Sequence, residues 1–365
     1  MTNDIEELKQ YVVAHARSQR MPPGHFESLL GRIHDDGEGT EGSWVREWTL
    51  AAERLERDGR LMEACQHYNM ARFPYVDGPA RQKAHERCVT TFDQWRASVP
   101  GLEALEVTLP EGRIRAWTAG LSATDPRPLL VMCGGIVSIK EQWAAVLTLV
   151  RSYGMAGVVL EMPGVGENTL CYAHDSHRMF SAVLDAVAPR ADVRHTYALA
   201  LSFSGHLALR AALVDDRIKA VIGAGAPVHD FFTEPRWQRT VPKVTVDTIA
   251  HLSGTKPDAV FDHIRGWALS DAELAALDIP VCYVASRRDE IIPRSDVLRL
   301  KRQVRRFRMT EHDDVHGSPD HFAETQLWML LSLLRARGVL NKQRVSLAYA
   351  LTRQRLRRRL GRTPA

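Results

Sequence analysis

The sequence predicts an α/β fold, a mainly parallel sheet covered by helices on both faces, with a helical N-terminal domain before it and a helical cap insertion within it. Three observations carry the prediction. Short apolar runs such as "PLLVMCGG", "GVVLEMPG", "TYALALS", "KAVIGAGAP" and "PVCYVAS" alternate with helical segments, the pattern of strands buried on both faces. Residues 1–103 carry apolar side chains at helical spacing and no strand pattern. Between "GAGAP" and "PVCYVAS" lie roughly 50 residues of helical character, more than one crossover needs.

Within residues 1–103 the clearest helices are "SWVREWTLAAERLERDG", "RLMEACQHYNMARF" and "PARQKAHERCVTTFDQWRASV". Trp44, Trp48, Ala51 and Leu55 fall on one face of the first; Gly59 ends it and Pro79 opens the third. Alternating residues around Glu111 and Gly112 then give a hairpin. The sheet is expected in two parts, 104–228 and 277–340, with the cap insertion at 229–276 between them and a basic tail at 341–365. In open α/β sheets, ligands bind beyond the carboxyl ends of the strands, and the insertion lies at that edge.

Composition limits the class of protein. With 365 residues, 45% hydrophobic and 25% charged, the chain is long enough for two domains and has ordinary globular balance. The polar, acidic start "MTNDIEELKQ" and the lack of a long apolar run predict a cytoplasmic protein with no membrane span. Five widely spread cysteines without a C-x-x-C pair argue against a disulfide framework or a zinc site. The net charge of +4 is partly local, since "RQRLRRRLGR" (353–362) holds six arginines. No aromatics interleave with them, so no nucleic-acid partner is expected.

The stretch "YALALSFSGHLAL" reads as strand, tight corner and helix, with two serines at the corner. At a nucleophile elbow the residues two before and two after the serine must be small. For Ser202 these are Ala200 and Ser204; for Ser204 they would be Ser202 and His206, and an imidazole does not fit. Ser202 is therefore the candidate nucleophile. A serine in a turn is commonplace, so its partners decide the reading. A hydroxyl needs a base to take its proton, and the base needs an acid to hold its tautomer. Asp289 follows the late strand "VCYVAS" and is the candidate acid, with Glu290 the adjacent alternative. The loop "TEHDDVHGSPDHF" offers His312, His316 and His321. Ser318 and Pro319 look like N-cap and N1 of a long final helix holding His321, and His312 abuts the strand, which leaves His316 as the base. A metal reading of these histidines would need a helix through Gly317 and Pro319. Two backbone N–H groups must also face the developing oxyanion: Phe203 supplies one, and Gly135 or Ile136, after the first buried strand, the other.

The segments "CGGIVSIKE", "LEMPGVGE" and "LSFSGHLA" resemble the Gly-Gly-x-Asp-Ser-x-Lys-Glu loop, the Asp-x-Pro-Gly-x-Gly loop and the elbow of α/β-hydrolases related to the fermentation-respiration switch protein. Within that group the sequence looks most like 2,6-dihydroxypseudooxynicotine hydrolase and the fungal yellowish-green pigment hydrolases that shorten polyketide chains. The resemblance spans nearly the whole chain. It implies an α/β-hydrolase fold and a Ser202–His316–Asp289 site that cleaves an ester or a carbon–carbon bond beside a ketone. It also implies that the helical region is a lid and a homodimer surface. Val137 stands where the family has Asp, Glu161 where it has Asp before "MPG", and Ala200 in place of the first elbow Gly.

The resulting expectation is a serine hydrolase, without cofactor or metal, acting on a small-molecule acyl, thioester or β-dicarbonyl substrate of polyketide-like kind. Phe231, Phe232 and Trp237 are expected to wall its pocket. Two rivals share these residues: acyl transfer or cyclisation by the same triad, and a catalytically silent hydrolase fold used as a binding module.

Overall fold

A computed structural model of the chain describes residues 3–37 and 39–361. The helical region holds α1 (Ile5–Ser18), α2 (Pro23–Leu30), α3 (Trp44–Arg57), α4 (Leu61–Arg72) and α5 (Pro79–Arg96). Asp4 caps α1 by accepting from the N–H groups of Glu6 and Glu7, and Pro79 opens α5 as its fixed φ favours. The buried face of α3 holds Trp44, Trp48, Ala52 and Leu55, so Ala52 takes the central place expected of Ala51.

Strands β1 (Leu102–Leu109) and β2 (Gly112–Ala119) form the expected hairpin. The chain continues through β3 (Pro128–Cys133), the short helices α6 (Lys140–Trp143) and α7 (Leu147–Val150), β4 (Ala156–Leu160), α8 (Arg178–Val187), β5 (Asp192–Leu201), α9 (Phe203–Val214) and β6 (Ile218–Ala224). The insertion holds α10 (Asp230–Thr233), α11 (Pro235–Gln238), α12 (Lys243–Ser253), α13 (Val260–Ile264) and α14 (Asp271–Ala276). It is followed by β7 (Val281–Ser286), α15 (Arg294–Gln303), β8 (Phe307–His312), α16 (Phe322–Ala336) and α17 (Lys342–Arg359).

The eight strands run β1-β2-β4-β3-β5-β6-β7-β8, parallel from β4 through β8, with the hairpin antiparallel at one edge. Strand β3 lies between β4 and β5, so the connections leave it to opposite sides and open a crevice at its carboxyl end. Cys133, the last residue of β3, pairs with Ala200 of β5. That register brings the Gly134–Gly135 turn beside the corner at Ser202.

One core spans the sheet and its covering helices; a second lies among α1 to α5 and reaches Val244 of α12. Phe92 of α5 packs on Trp117 of β2, ring centroids 5.0 Å apart, joining the helical region to the sheet.

The basic end of the chain departs from a loose tail. Helix α17 packs along α16, buries Leu351, and pairs Arg355 with Glu324 at 2.7 Å. Residues 362–365 of the expected tail, Arg362 included, lie outside the described residues. Among the described residues no helix is long and apolar enough to cross a membrane.

Candidate active site

Ser202 sits between β5 and α9 with φ 55° and ψ −131°, one of three non-glycine residues with positive φ among the described residues. A non-glycine backbone held there costs roughly 1–3 kcal/mol. Its N–H donates to Ala224 O (2.7 Å), and its carbonyl accepts from Gly205 N (2.8 Å), so the surrounding chain holds the corner. Small neighbours make it fit: a Cβ on Gly205 would come within 2.6 Å of Ala226 Cβ, and one on Gly135 within 3.0 Å of Ser202 Cβ. Ser204 is fully buried, its Oγ 2.9 Å from both Cys133 O and Leu201 O. Its hydroxyl is committed to the backbone, and of the two serines only Ser202 opens onto the cavity.

The three expected residues meet. Ser202 Oγ lies 2.9 Å from His316 Nε2, and His316 Nδ1 lies 3.0 Å from each carboxylate oxygen of Asp289. This network assigns Nδ1–H as donor to Asp289 and leaves Nε2 to accept from the serine hydroxyl. Asp289 Oδ1 also accepts from the N–H groups of Ile291 (3.0 Å) and Ile292 (2.8 Å), which fixes the carboxylate. Glu290, the alternative acid, takes a separate part: it accepts the His316 backbone N–H at 3.0 Å. Burial disfavours the charged imidazole, but the Asp289 charge and hydrogen bond, helped by Glu290, outweigh it and raise the His316 pKa. The ring can approach because residue 225 is glycine: a Cβ there would lie 2.6 Å from His316 Cε1.

The other histidines of the loop go elsewhere. His321 bonds to Asp314 (2.8 Å) and stacks on His312 at 4.5 Å, and neither faces the cavity. His321 lies in the opening turn of the final long helical stretch, a 3-10 turn that runs directly into α16. Residues Pro319–His321 form a 3-10 turn, α16 begins at Phe322, and Ser318 makes no capping bond. Its Oγ lies 2.8 Å from Ser286 Oγ instead.

Phe203 opens α9, so its N–H has no intrahelical acceptor, and it lines the cavity beside Gly135 and Ile136. The loop carrying Gly135 and Ile136 is held at both ends. Arg72 of α4, buried, donates to Val137 O, to Pro74 O (3.0 Å) and to Asn69 Oδ1 (3.0 and 2.9 Å). Burial lowers the Arg72 pKa to about 10, which leaves it charged at neutral pH. At the other end, buried Lys140 contacts Glu141 (2.8 Å), Glu167 (2.8 Å) and Glu161 (3.5 Å). Glu161, at the place of the usual Asp, accepts from the N–H groups of Lys140 (3.1 Å) and Glu167 (3.0 Å). Burial pushes Glu161 up to about 7 against the pull of the Lys140 charge. Trp117 Nε1 closes the cluster on Glu141 at 2.9 Å.

Above Ser202 lies a cavity of about 640 Å³. Its walls come from α1, the loop after β3, α7, α12 and α16, and are mostly apolar, with Phe73, Trp143, Leu149 and Met329 among them. The expected aromatic wall is a correction. Phe231, Phe232 and Trp237 do not line this cavity. Buried Asp296 accepts from the N–H groups of Val228 (2.9 Å), His229 (3.0 Å) and Asp230, drawing the start of the insertion onto the core. Phe231 and Phe232 are thereby fully buried, Phe231 edge-on to Phe203 at 5.1 Å, and Trp237 Nε1 donates to Ile291 O at 2.9 Å. Sequence reasoning missed Arg72 and the residues of α1. An arginine inside a helix buried on every side leaves no periodic signal, whereas Lys140 and Glu141 were visible in the "SIKE" motif.

A parallel sheet with a nucleophile elbow, a late-strand acid, a terminal-loop histidine and a cap is the architecture of the α/β-hydrolases, and this chain has that fold. The model of the FrsA-like esterases ("Esterase FrsA-like") matches residues 38–269, and the chain belongs to that family. Curated relatives include esterase FrsA of Photobacterium profundum, 23% identical over 278 residues, covering 68% of this chain and 66% of the relative. Esterase FrsA of Salmonella paratyphi B is 28% identical over 235 residues, 58% of this chain and 56% of its own. The chain thus spans less than two thirds of the length of these two curated relatives. Among solved structures, wild-type AbyA5 is similar at 54% identity and TM-score 0.93, over 96% of this chain and 99% of that one. The fold is also that of 2,6-dihydroxy-pseudo-oxynicotine hydrolase, at 20% identity and TM-score 0.69 over 87% of this chain and 94% of that one.

Proposed function

We propose that the protein is a cytoplasmic serine hydrolase that cleaves a carboxylic ester in a medium-sized, largely apolar metabolite bearing further carbonyl groups, of polyketide-like kind. The observation that carries this reading is the unbroken chain Ser202 Oγ, His316 Nε2, His316 Nδ1, Asp289, with steps of 2.9 and 3.0 Å, opening on a deep apolar cavity. A cavity of about 640 Å³ suits a ligand of that size.

In this mechanism His316 Nε2 takes the hydroxyl proton as Ser202 Oγ attacks the ester carbonyl. The oxygen of the tetrahedral intermediate turns toward the N–H groups of Phe203 and of Gly135 or Ile136, where fixed dipoles stabilise its charge. Asp289 stabilises the imidazolium, which then protonates the departing alkoxide. Water, deprotonated by the same nitrogen, releases the acid and restores Ser202. Apart from water, the groups these steps use are side chains and backbone N–H groups of this chain.

The test is turnover of aryl esters of medium-length acids. Ser202→Ala is expected to lose activity by at least about a thousandfold while remaining folded. Retained turnover in that variant would remove the reading. Addition of a primary alcohol then separates hydrolysis from acyl transfer by the product formed.

A further inference from the structure

Helix α1 brings polar groups to a cavity whose other walls are mostly apolar. Tyr11, His15, Ser18 and Gln19 line it, at spacings that put them on one face of the helix. Of these, His15 is held most completely. Its ring packs on Phe73 with centroids 5.1 Å apart. Gln142, which follows the loop carrying Gly135, sets its Nε2 3.1 Å from His15 Nδ1 and 3.0 Å from Ser18 Oγ, using both amide hydrogens. Its Oε1 lies 3.4 Å from the same Nδ1 and 3.5 Å from Asn69 Nδ2; the shorter Nε2 contact assigns Nδ1 as acceptor and leaves Oε1 to Asn69, which in turn accepts from Arg72. With Nδ1 of His15 as acceptor, the proton of a neutral imidazole sits on Nε2.

The ring is neutral at physiological pH. Burial lowers its pKa to about 4, and the charges of Arg72 and His316 add to this. Nε2–H makes no hydrogen bond among the described residues. A donor kept uncharged, oriented by a chain of three side chains and left without a protein acceptor in an apolar cavity is matched by an oxygen on the ligand.

We propose that His15 is a specificity-determining residue whose Nε2–H donates to a ketone or enol oxygen of the substrate other than the carbonyl that Ser202 attacks. The inference rests on the ester-hydrolase reading above and narrows its substrate class to keto-acyl compounds. A substrate lacking the second oxygen leaves this donor unpaired or wet. That loss falls on binding and orientation, since the proton on Nε2 is not transferred.

The experiment uses the full-length protein, His15→Leu, which lacks the donor, and His15→Gln, which keeps an N–H. Umbelliferyl hexanoate is compared with oxohexanoate esters carrying the ketone at successive carbons. Wild type is expected to prefer at least one keto ester. In His15→Leu the ratio of kcat/KM for that ester over the plain ester should fall on the order of tenfold to a hundredfold, mainly through KM. His15→Gln should recover much of it. No keto preference in wild type, or an unchanged ratio in His15→Leu, would overturn the proposal. Calorimetric binding of an uncleaved alkyl β-diketone to Ser202→Ala, with and without His15→Leu, reads the contact apart from the chemistry. Weaker binding in the double variant upholds His15 even where Ser202→Ala has retained turnover, and equal binding rejects it even where the triad stands.

Discussion

At Ser202 strain and chemistry share one backbone corner. The positive φ lifts Oγ toward His316, and glycines at 135, 205 and 225 leave room for the serine, its helix and the imidazole. The fixed Asp289 carboxylate sets the working pH. Because His316 must be neutral to act as base and its pKa is raised by the Asp289 charge and hydrogen bond, kcat/KM should fall as pH drops through a value above that of an ordinary imidazole. Asp289→Asn removes the charge that raises it. The acid limb should then move to lower pH while the plateau rate falls on the order of a thousandfold or more. A pH–rate profile of both proteins checks the sign, and a limb that stays or moves upward would contradict the assignment. The three residues were legible in the sequence because each follows a recognisable apolar strand in the required order. Gly225 was not, since its task depends on an imidazole that arrives from 91 positions further along the chain.

Among the elements, the loop from Gly134 to Ile139 depends on two anchors of different origin. Lys140, with Glu141, Glu161 and Glu167, ties its end to the sheet, and Arg72 ties Val137 O to α4. Arg72→Met would leave Val137 O, Pro74 O and Asn69 Oδ1 without their donor. Loss of buried hydrogen bonds to a charged group costs about 1.5–3 kcal/mol each in stability, offset in part by removing the buried charge. With the oxyanion donors loosened, kcat should drop about tenfold or more while KM changes less. Steady-state kinetics with denaturant melts check this, and a folded variant with unchanged kcat would refute the positioning role. The motif half of this arrangement could be read from the sequence. The Arg72 half could not, because it joins two elements 65 residues apart with no pattern linking them.

Across the whole molecule the roof of the cavity is a joint structure of the helical region and the insertion. Glu7 of α1 accepts from the N–H groups of Lys243 (2.9 Å) and Val244 (2.6 Å), capping α12, and Val244 packs into the core of the helical region. Glu7→Ala removes this cap at a cost of about 1 kcal/mol. Amide hydrogen exchange should then quicken in α1 and α12 together; a change confined to one helix would show that they open independently. A lid role is what the family resemblance implies, and the Glu7 cap that joins the helical region to the insertion has no pattern in the sequence. The expected aromatic wall failed because Asp296, distant in the chain, folds Phe231 and Phe232 under the insertion. The apolar face that replaces them is shared among the loop after β3, α7, α12 and α16.

The proposed hydrolysis depends on one activated serine. Intact mass after treatment with a fluorophosphonate measures it directly on wild type, Ser202→Ala and Ser204→Ala. Single labelling of wild type and Ser204→Ala, lost in Ser202→Ala, is the predicted result. Labelling that survives in Ser202→Ala, or a folded wild type that takes no label, would contradict it.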